Sequence, residues 1–225
     1  MKTILRLSAL SLAAALSLAA GPAANWNVVV NLGPNGSHIV GNPAAKLKLT
    51  EYVSYTCPHC AAFEREADGP MRLNYVRSGK MSIEVKHMLR DPIDLTVAML
   101  TNCGPKEKFF LNHSMMMRSQ GTWIRPLVNA SKAQQARWTT GEMAARNRAI
   151  AADFHLYDVM ATRGYDRVTL DRCLADKAMA DRIAAQAKDG DTAGVESTPS
   201  FLLNGQLLLG TSSWSLLKPQ IDARL

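Results

Sequence analysis

The chain has 225 residues, 47% of them apolar, with 26 basic and 19 acidic residues and a net charge of +7. That composition belongs to a packed globular protein rather than a disordered one, and no period of about 20–50 residues repeats, which argues against a solenoid. The basic residues are scattered, so the basic stripe with stacking aromatics that a nucleic-acid-binding face needs is missing.

Lys2 and Arg6 head a run, Leu7–Ala20, made only of Leu, Ala and Ser. A short basic region followed by such a run is read as a secretory signal peptide over residues 1–20. The alternative, an uncleaved anchor, is disfavoured because the run is short and ends at Gly21-Pro22. Without Lys2 and Arg6 the balance is 24 basic against 19 acidic, or +5. No later segment holds ~18 consecutive apolar residues. The expected product is a soluble, exported, periplasmic protein.

Residues 21–45 are read as an N-terminal strand or hairpin extension: a strand over Trp26–Leu32, a turn at Gly33-Pro34-Asn35-Gly36, and a short returning strand over His38–Val40. Leu47–Tyr55 alternates in part and is rich in β-formers, so it is a third expected strand. Cys57-Pro58-His59-Cys60 follows at once. Pro58 stands where a first helical residue would, a favoured place for proline. Phe63, Ala67, Met71, Tyr75 and Val76 mark one face of a helix over Cys60–Ser78, which Gly69-Pro70 should kink or split. Ile83–Leu89 completes a βαβ unit over residues 46–91.

Residues 92–190 read as helical, with candidate helices Leu95–Asn102, Lys106–Met117, Glu142–Arg163, Leu170–Leu174 (with Thr169 as its N-cap) and Lys177–Lys188. Residues 191–225 return to β structure. Ser200–Leu203 and Leu207–Leu209 flank Asn204-Gly205, a two-residue hairpin turn, and Ser213 starts a last helix that contains Pro219. The order is βαβ, helical insertion, ββα, an α/β protein.

The cysteines carry the chemistry. Four of them, Cys57, Cys60, Cys103 and Cys173, allow three pairings. A disulfide between Cys57 and Cys60 closes too small a loop to act as a useful staple. Such a pair is reactive or metal-binding. Zinc needs two further ligands, and no second C-x-x-C is present. Ala61 follows Cys60, so the C-x-x-C-H haem signature is absent. His113 beside Met115-Met116-Met117 hints at a soft metal, with helix packing the plainer reading. No cofactor and no metal are expected. A cysteine at a helix start faces unpaired N–H groups and the positive end of the dipole, both favouring thiolate. Cys57 is therefore the expected nucleophile and Cys60, one turn inside, the resolving thiol.

The stretch Glu51-Tyr52-Val53-Ser54-Tyr55-Thr56-Cys57-Pro58-His59-Cys60, with Phe63-Glu64 after it, resembles the active-site strand and helix of the DsbA family of bacterial periplasmic disulfide oxidoreductases. The resemblance is strong over about His38–Asp68 and moderate over Gly194–Gly205; between them it rests on helical character. It implies a thioredoxin-like fold interrupted by a helical insertion. It implies that Thr198-Pro199 is the cis-proline loop whose backbone pairs with a bound substrate peptide. It also implies that Glu51 is a buried acid suited to moving the proton of Cys60, that His59 belongs to the catalytic dipeptide of the dithiol oxidases, and that Cys103 and Cys173 form a second, structural disulfide. The implied activity is a monomeric dithiol oxidase acting on reduced exported proteins and reoxidised by a DsbB-type membrane oxidase. A reductase or isomerase is the alternative within the same chemistry, although isomerase relatives usually carry a long N-terminal dimerisation domain and few residues precede Lys46. A peptide-binding chaperone with incidental cysteines is the alternative from another class.

Overall fold

A computed structural model describes residues 25–225. The signal peptide expected over residues 1–20 lies outside the described residues. Six strands form one mixed sheet: β1 (Val30–Leu32), β2 (His38–Gly41), β3 (Leu47–Val53), β4 (Met81–His87), β5 (Ser200–Leu203) and β6 (Gln206–Leu207). Their spatial order is β1-β2-β4-β3-β5-β6. Only β3 and β4 run parallel; every other neighbouring pair is antiparallel. That single parallel pair needs a crossover, and α1 (Pro58–Met71) supplies it. Regular helix continues into a π turn over Arg72–Val76, so the helix changes register within two residues of Pro70 rather than splitting there.

Strand pleating sorts the central residues to two faces. Glu51 of β3 stands opposite Phe201 of β5, and Phe201 meets Phe63 of α1 with ring centroids 4.6 Å apart. This face carries α1. Tyr52 points the other way, with Val195 and Leu202. There α9 (Lys177–Thr192) approaches so closely that a Cβ on Gly190 would lie 2.9 Å from the Tyr52 ring. Asn204 and Gly205 both have positive φ, 50° and 82°, as a type I′ hairpin between β5 and β6 requires.

Between β4 and β5 the chain is helical: α2 (Pro92–Thr101), α3 (Phe109–Arg118), α4 (Gln120–Trp123), α5 (Lys132–Thr139), α6 (Met143–Asp153), α7 (Leu156–Ala161), α8 (Arg167–Leu174) and α9, with α10 (Trp214–Asp222) after β6. Trp26–Val28 is a 3-10 turn and only Val30–Leu32 is strand. The single helix expected over Glu142–Arg163 is two, broken at Phe154-His155, where Phe154 is fully buried against Trp138 and His155 takes a left-handed φ of 55°. The cap of α8 is Asp166, whose side chain accepts from the N–H of Thr169. Cys103, just after α2, and Cys173, in α8, are joined by a disulfide with Cα atoms 5.7 Å apart. No helix among the described residues is long and apolar enough to cross a membrane.

Candidate active site

Cys57 is the N-cap of α1, with extended backbone (φ −90°, ψ 118°), and Pro58 is the first helical residue. The first N–H groups of the helix have no partner within it and converge on Cys57. The two cysteines are a free dithiol, 3% and 1% exposed. The hydrogen bond from Cys60, then that from the Thr198 side chain and those from the backbone N–H groups of Cys60 and His59, lower the Cys57 thiol from 9.0 to about 5, against the opposing effect of burial. Burial, and then the neighbouring Cys57, push the Cys60 thiol far above its ordinary range. One sulfur is thus a thiolate at neutral pH and the other a thiol that donates to it.

The Thr198–Pro199 peptide is cis, and the Thr198 carbonyl oxygen lies 3.2 Å from the Cys57 sulfur. As a thiol, Cys57 donates to that oxygen. A cavity of about 490 Å³ opens beside the sulfur, walled by His59, by Met88 and Arg90 after β4, and by Glu196 and Thr198. His59 is exposed, and its side chain makes no hydrogen bond to a described residue; what it gives Cys57 is its backbone N–H.

Glu51 is buried, as the resemblance implied, but lines a different cavity. That small space, about 10 Å³, also meets Glu64, Arg72 and His113 and holds neither cysteine. One Glu51 oxygen is unpartnered, and burial, reinforced by the charges of Glu64 and Asp68, holds its carboxyl well above the usual carboxylate range. A raised acid loses stability as pH climbs from the unfolded value toward the folded one. Glu51→Gln should therefore raise the melting temperature, and the gain should grow as pH rises above the ordinary carboxylate range. Thermal denaturation over such a rise in pH checks it; a gain that shrinks with pH would refute the neutral carboxyl.

Three side chains unmarked by sequence reasoning, Gln120, Asp94 and Asp91, hold the loop before Cys57. Gln120 of α4 donates to the carbonyls of Tyr55 (2.7 Å) and Cys57 (2.9 Å). Asp94 of α2, 1% exposed, accepts from the Ser54 hydroxyl (2.5 Å) and from the N–H groups of Tyr55 (2.8 Å) and Arg90 (3.1 Å). Asp91 accepts from the Thr56 hydroxyl at 2.7 Å. The Tyr55 hydroxyl donates to Thr101, so its contact with His113 Nδ1 (2.8 Å) requires that nitrogen to carry hydrogen. His113 Nε2 then faces Glu64 at 3.6 Å, and although burial opposes it, the His113 contact keeps Glu64 below its ordinary value. Asp91-Pro92-Ile93-Asp94 ahead of an apolar run is a readable helix start. Nothing local says that Asp94 serves another loop, and Gln120 carries no signal at all. Met116 and Met117 pack in the core.

A family model described as thioredoxin matches residues 34–223. A solved structure of a protein-disulfide isomerase from Novosphingobium aromaticivorans is 52% identical, covers 85% of this chain and 98% of its own, and superposes with a TM-score of 0.83. The Wolbachia pipientis alpha-DsbA1 structure, 21% identical with a TM-score of 0.67 over 85% of this chain and 92% of its own, shares the fold. A Rickettsia typhi protein provisionally named a protein-disulfide oxidoreductase is 28% identical over 90 residues, 40% of this chain and 33% of its own length. This chain thus spans about a third of the curated relatives that it matches. A mixed sheet with a cysteine-headed crossover helix, a thioredoxin-like fold carrying a helical insertion, and a family match over nearly the whole described length agree: the chain belongs to the thioredoxin family.

Proposed function

We propose that this protein is a thiol–disulfide oxidoreductase working as a dithiol oxidase on reduced exported proteins in the periplasm. The observation that carries the reading is the asymmetry of the pair: Cys57 is held as a thiolate at the mouth of a cavity, Cys60 as a buried thiol behind it. A substrate thiolate attacks the Cys57 sulfur of the Cys57–Cys60 disulfide, expelling Cys60, which takes up a proton. A second substrate thiol then attacks the substrate sulfur of that mixed disulfide, expelling the Cys57 thiolate and leaving a substrate disulfide. In the reverse direction Cys60 resolves the mixed disulfide. The backbone of Thr198 and Pro199 is the proposed seat of the substrate peptide. A DsbB-type membrane oxidase is the proposed electron acceptor, and the proposed working unit is a monomer.

A thiol lowered from 9.0 to about 5 favours the dithiol at pH 7 by up to ~2.7 kcal/mol before solvent screening, or ~60 mV in a two-electron couple. The sign is that of a depressed pKa: the effect is full above the unfolded value and is lost as pH falls through about 5. The test is the reduction potential by glutathione equilibrium. A value near about −120 mV, that of DsbA itself, supports the oxidase; one near about −270 mV, that of thioredoxin, overturns the direction. The name of the Novosphingobium relative favours isomerase activity as a second reading. Recovery of activity from scrambled ribonuclease separates the two.

His59→Leu keeps the backbone N–H and removes only the imidazole. If the imidazole assists, the Cys57 pKa rises and the potential falls, by up to ~30 mV for each unit by which that pKa rises. The thiolate is titrated by its ultraviolet absorbance. Unchanged values would assign the thiolate to Cys60 and the helix start alone.

A further inference from the structure

The loop between β3 and α1 is joined to α2 by a continuous run of polar side chains. Asp94 Oδ2 meets Ser54 Oγ at 2.5 Å, Ser54 Oγ meets Thr56 Oγ1 at 3.3 Å, and Thr56 Oγ1 meets Asp91 Oδ2 at 2.7 Å. Two carboxylates are bridged by two hydroxyls, and Thr56 immediately precedes Cys57. Asp94 is buried and Asp91 is half-buried.

We propose that Asp94 is a positioning residue of the dithiol site that takes up a proton when the Cys57–Cys60 disulfide is reduced, with the Ser54 hydroxyl turning from Asp94 to Thr56 to accommodate it. The proposal rests on the dithiol reading above.

The geometry argues for it in two ways. An ionised Asp94 accepts three donors, from Ser54, Tyr55 and Arg90, and so ties the nucleophile's loop to the start of α2. A protonated Asp94 carries a hydrogen that must find an acceptor. Both backbone neighbours are donors, which leaves Ser54 Oγ. Ser54 can accept only by turning its own hydrogen to Thr56, and Thr56 can take it because its hydrogen already goes to Asp91. The chain thus supports either state of Asp94 without orphaning a buried proton.

Reduction supplies the reason for uptake. It places a negative charge on Cys57, whose own N–H is bonded to the Ser54 carbonyl. A like charge nearby favours the neutral acid. The other charged or titratable groups around Asp94 are Asp91 on its own helix and Arg90 on the connection from β4. Beyond Tyr55 lie His87 on β4, His113 on α3 and Glu64 on α1. Burial already pushes Asp94 up to about 7, within reach of such a perturbation. The step balances. Disulfide, two substrate thiols and the Asp94 carboxylate become the Cys57 thiolate, the Cys60 thiol, a substrate disulfide and the Asp94 carboxylic acid. Without Asp94, one proton is released to solvent.

The experiment counts that proton. With glutathione as the thiol, the equilibrium constant for reduction rises about tenfold per pH unit, between about pH 6 and 8, if one proton is released. The wild type is expected to rise less than tenfold per unit, and Asp94→Asn the full tenfold. Thr56→Val, which leaves the Asp94 contacts in place, should move toward the steeper dependence. Equal slopes in wild type and Asp94→Asn overturn the proposal, and a Thr56→Val slope equal to that of the wild type overturns the hydroxyl chain. Should Asp94→Asn not fold, infrared difference spectra of the wild type decide. Reduction at neutral pH should add a protonated-carboxyl band that survives in Glu51→Gln; no added band, or one lost in that variant, overturns the proposal. If the protein does not exchange with glutathione at all, the dithiol reading fails; if it exchanges with unaltered slopes, only the role of Asp94 fails.

Discussion

Cys60→Ser should accumulate disulfide-linked adducts between Cys57 and substrate proteins, seen as slow bands on non-reducing gels and removed by reductant. Attack by Cys57 on a substrate disulfide, which expels the substrate's second sulfur as a thiolate, needs a Cys57 thiolate beside the cavity at the helix start, and the variant keeps both. Resolution needs a second sulfur within reach, and a hydroxyl cannot replace it. The serine also keeps a donor toward Cys57, and the Cys60 hydrogen bond is the largest influence lowering that thiol. Cys60→Ala removes it. A hydrogen bond to a charged group contributes about 1.5–3 kcal/mol, so the alanine variant should show a Cys57 pKa higher by ~1–2 units than the serine variant. Near neutral pH this slows capture of substrate in proportion to the thiolate lost. Ultraviolet titration of the two variants measures the difference. A folded Cys60→Ser chain free of adducts would move the nucleophile away from Cys57.

Removing the disulfide between Cys103 and Cys173 should cost up to about 4 kcal/mol of unfolding free energy. The bond spans 70 residues, and in the chain-entropy model closing a loop of that size takes about 4 kcal/mol from the unfolded state. Native relaxation reduces the gain, so ~2–4 kcal/mol is the range to expect. With a slope of ~2 kcal/mol per molar in urea, the midpoint should fall by ~1–2 M in the Cys103→Ala, Cys173→Ala double variant. The comparison is made with Cys57 and Cys60 in one redox state throughout. A midpoint shift below a few tenths of a molar would show that helix packing alone holds this region.

The legible part of the molecule was the part built from local rules. Proline at the first helical position announced α1, strand alternation announced β3, and Asn204-Gly205 announced the hairpin of β5 and β6. The break between α6 and α7 was not legible, because Phe154 leaves the helix to bury its ring between Trp123 and Trp138. That gain depends on partners 16 and 31 positions away, which no helical period encodes. The short α4 was missed for the same reason, and with it Gln120. The two cysteines were legible because their spacing is itself the chemistry. Asp94 was not, since its residue type predicts a helix start and its function lies on a loop 40 residues earlier.

The loop from Ser54 to Cys57 has a consequence for folding order. Its partners lie 39–40 residues away at Asp94, 63–65 at Gln120 and 141 at Thr198. Contacts so distant in sequence form late, because chain closure must precede any return from them. The Thr198 contact and the seating of the loop are therefore properties of the finished fold, whereas the influences of Cys60 and of the helix N–H groups on Cys57 are local and arrive with α1. A chain in which α1 forms before its distant partners gains part of the Cys57 reactivity early, with the cavity wall at Thr198 still to come.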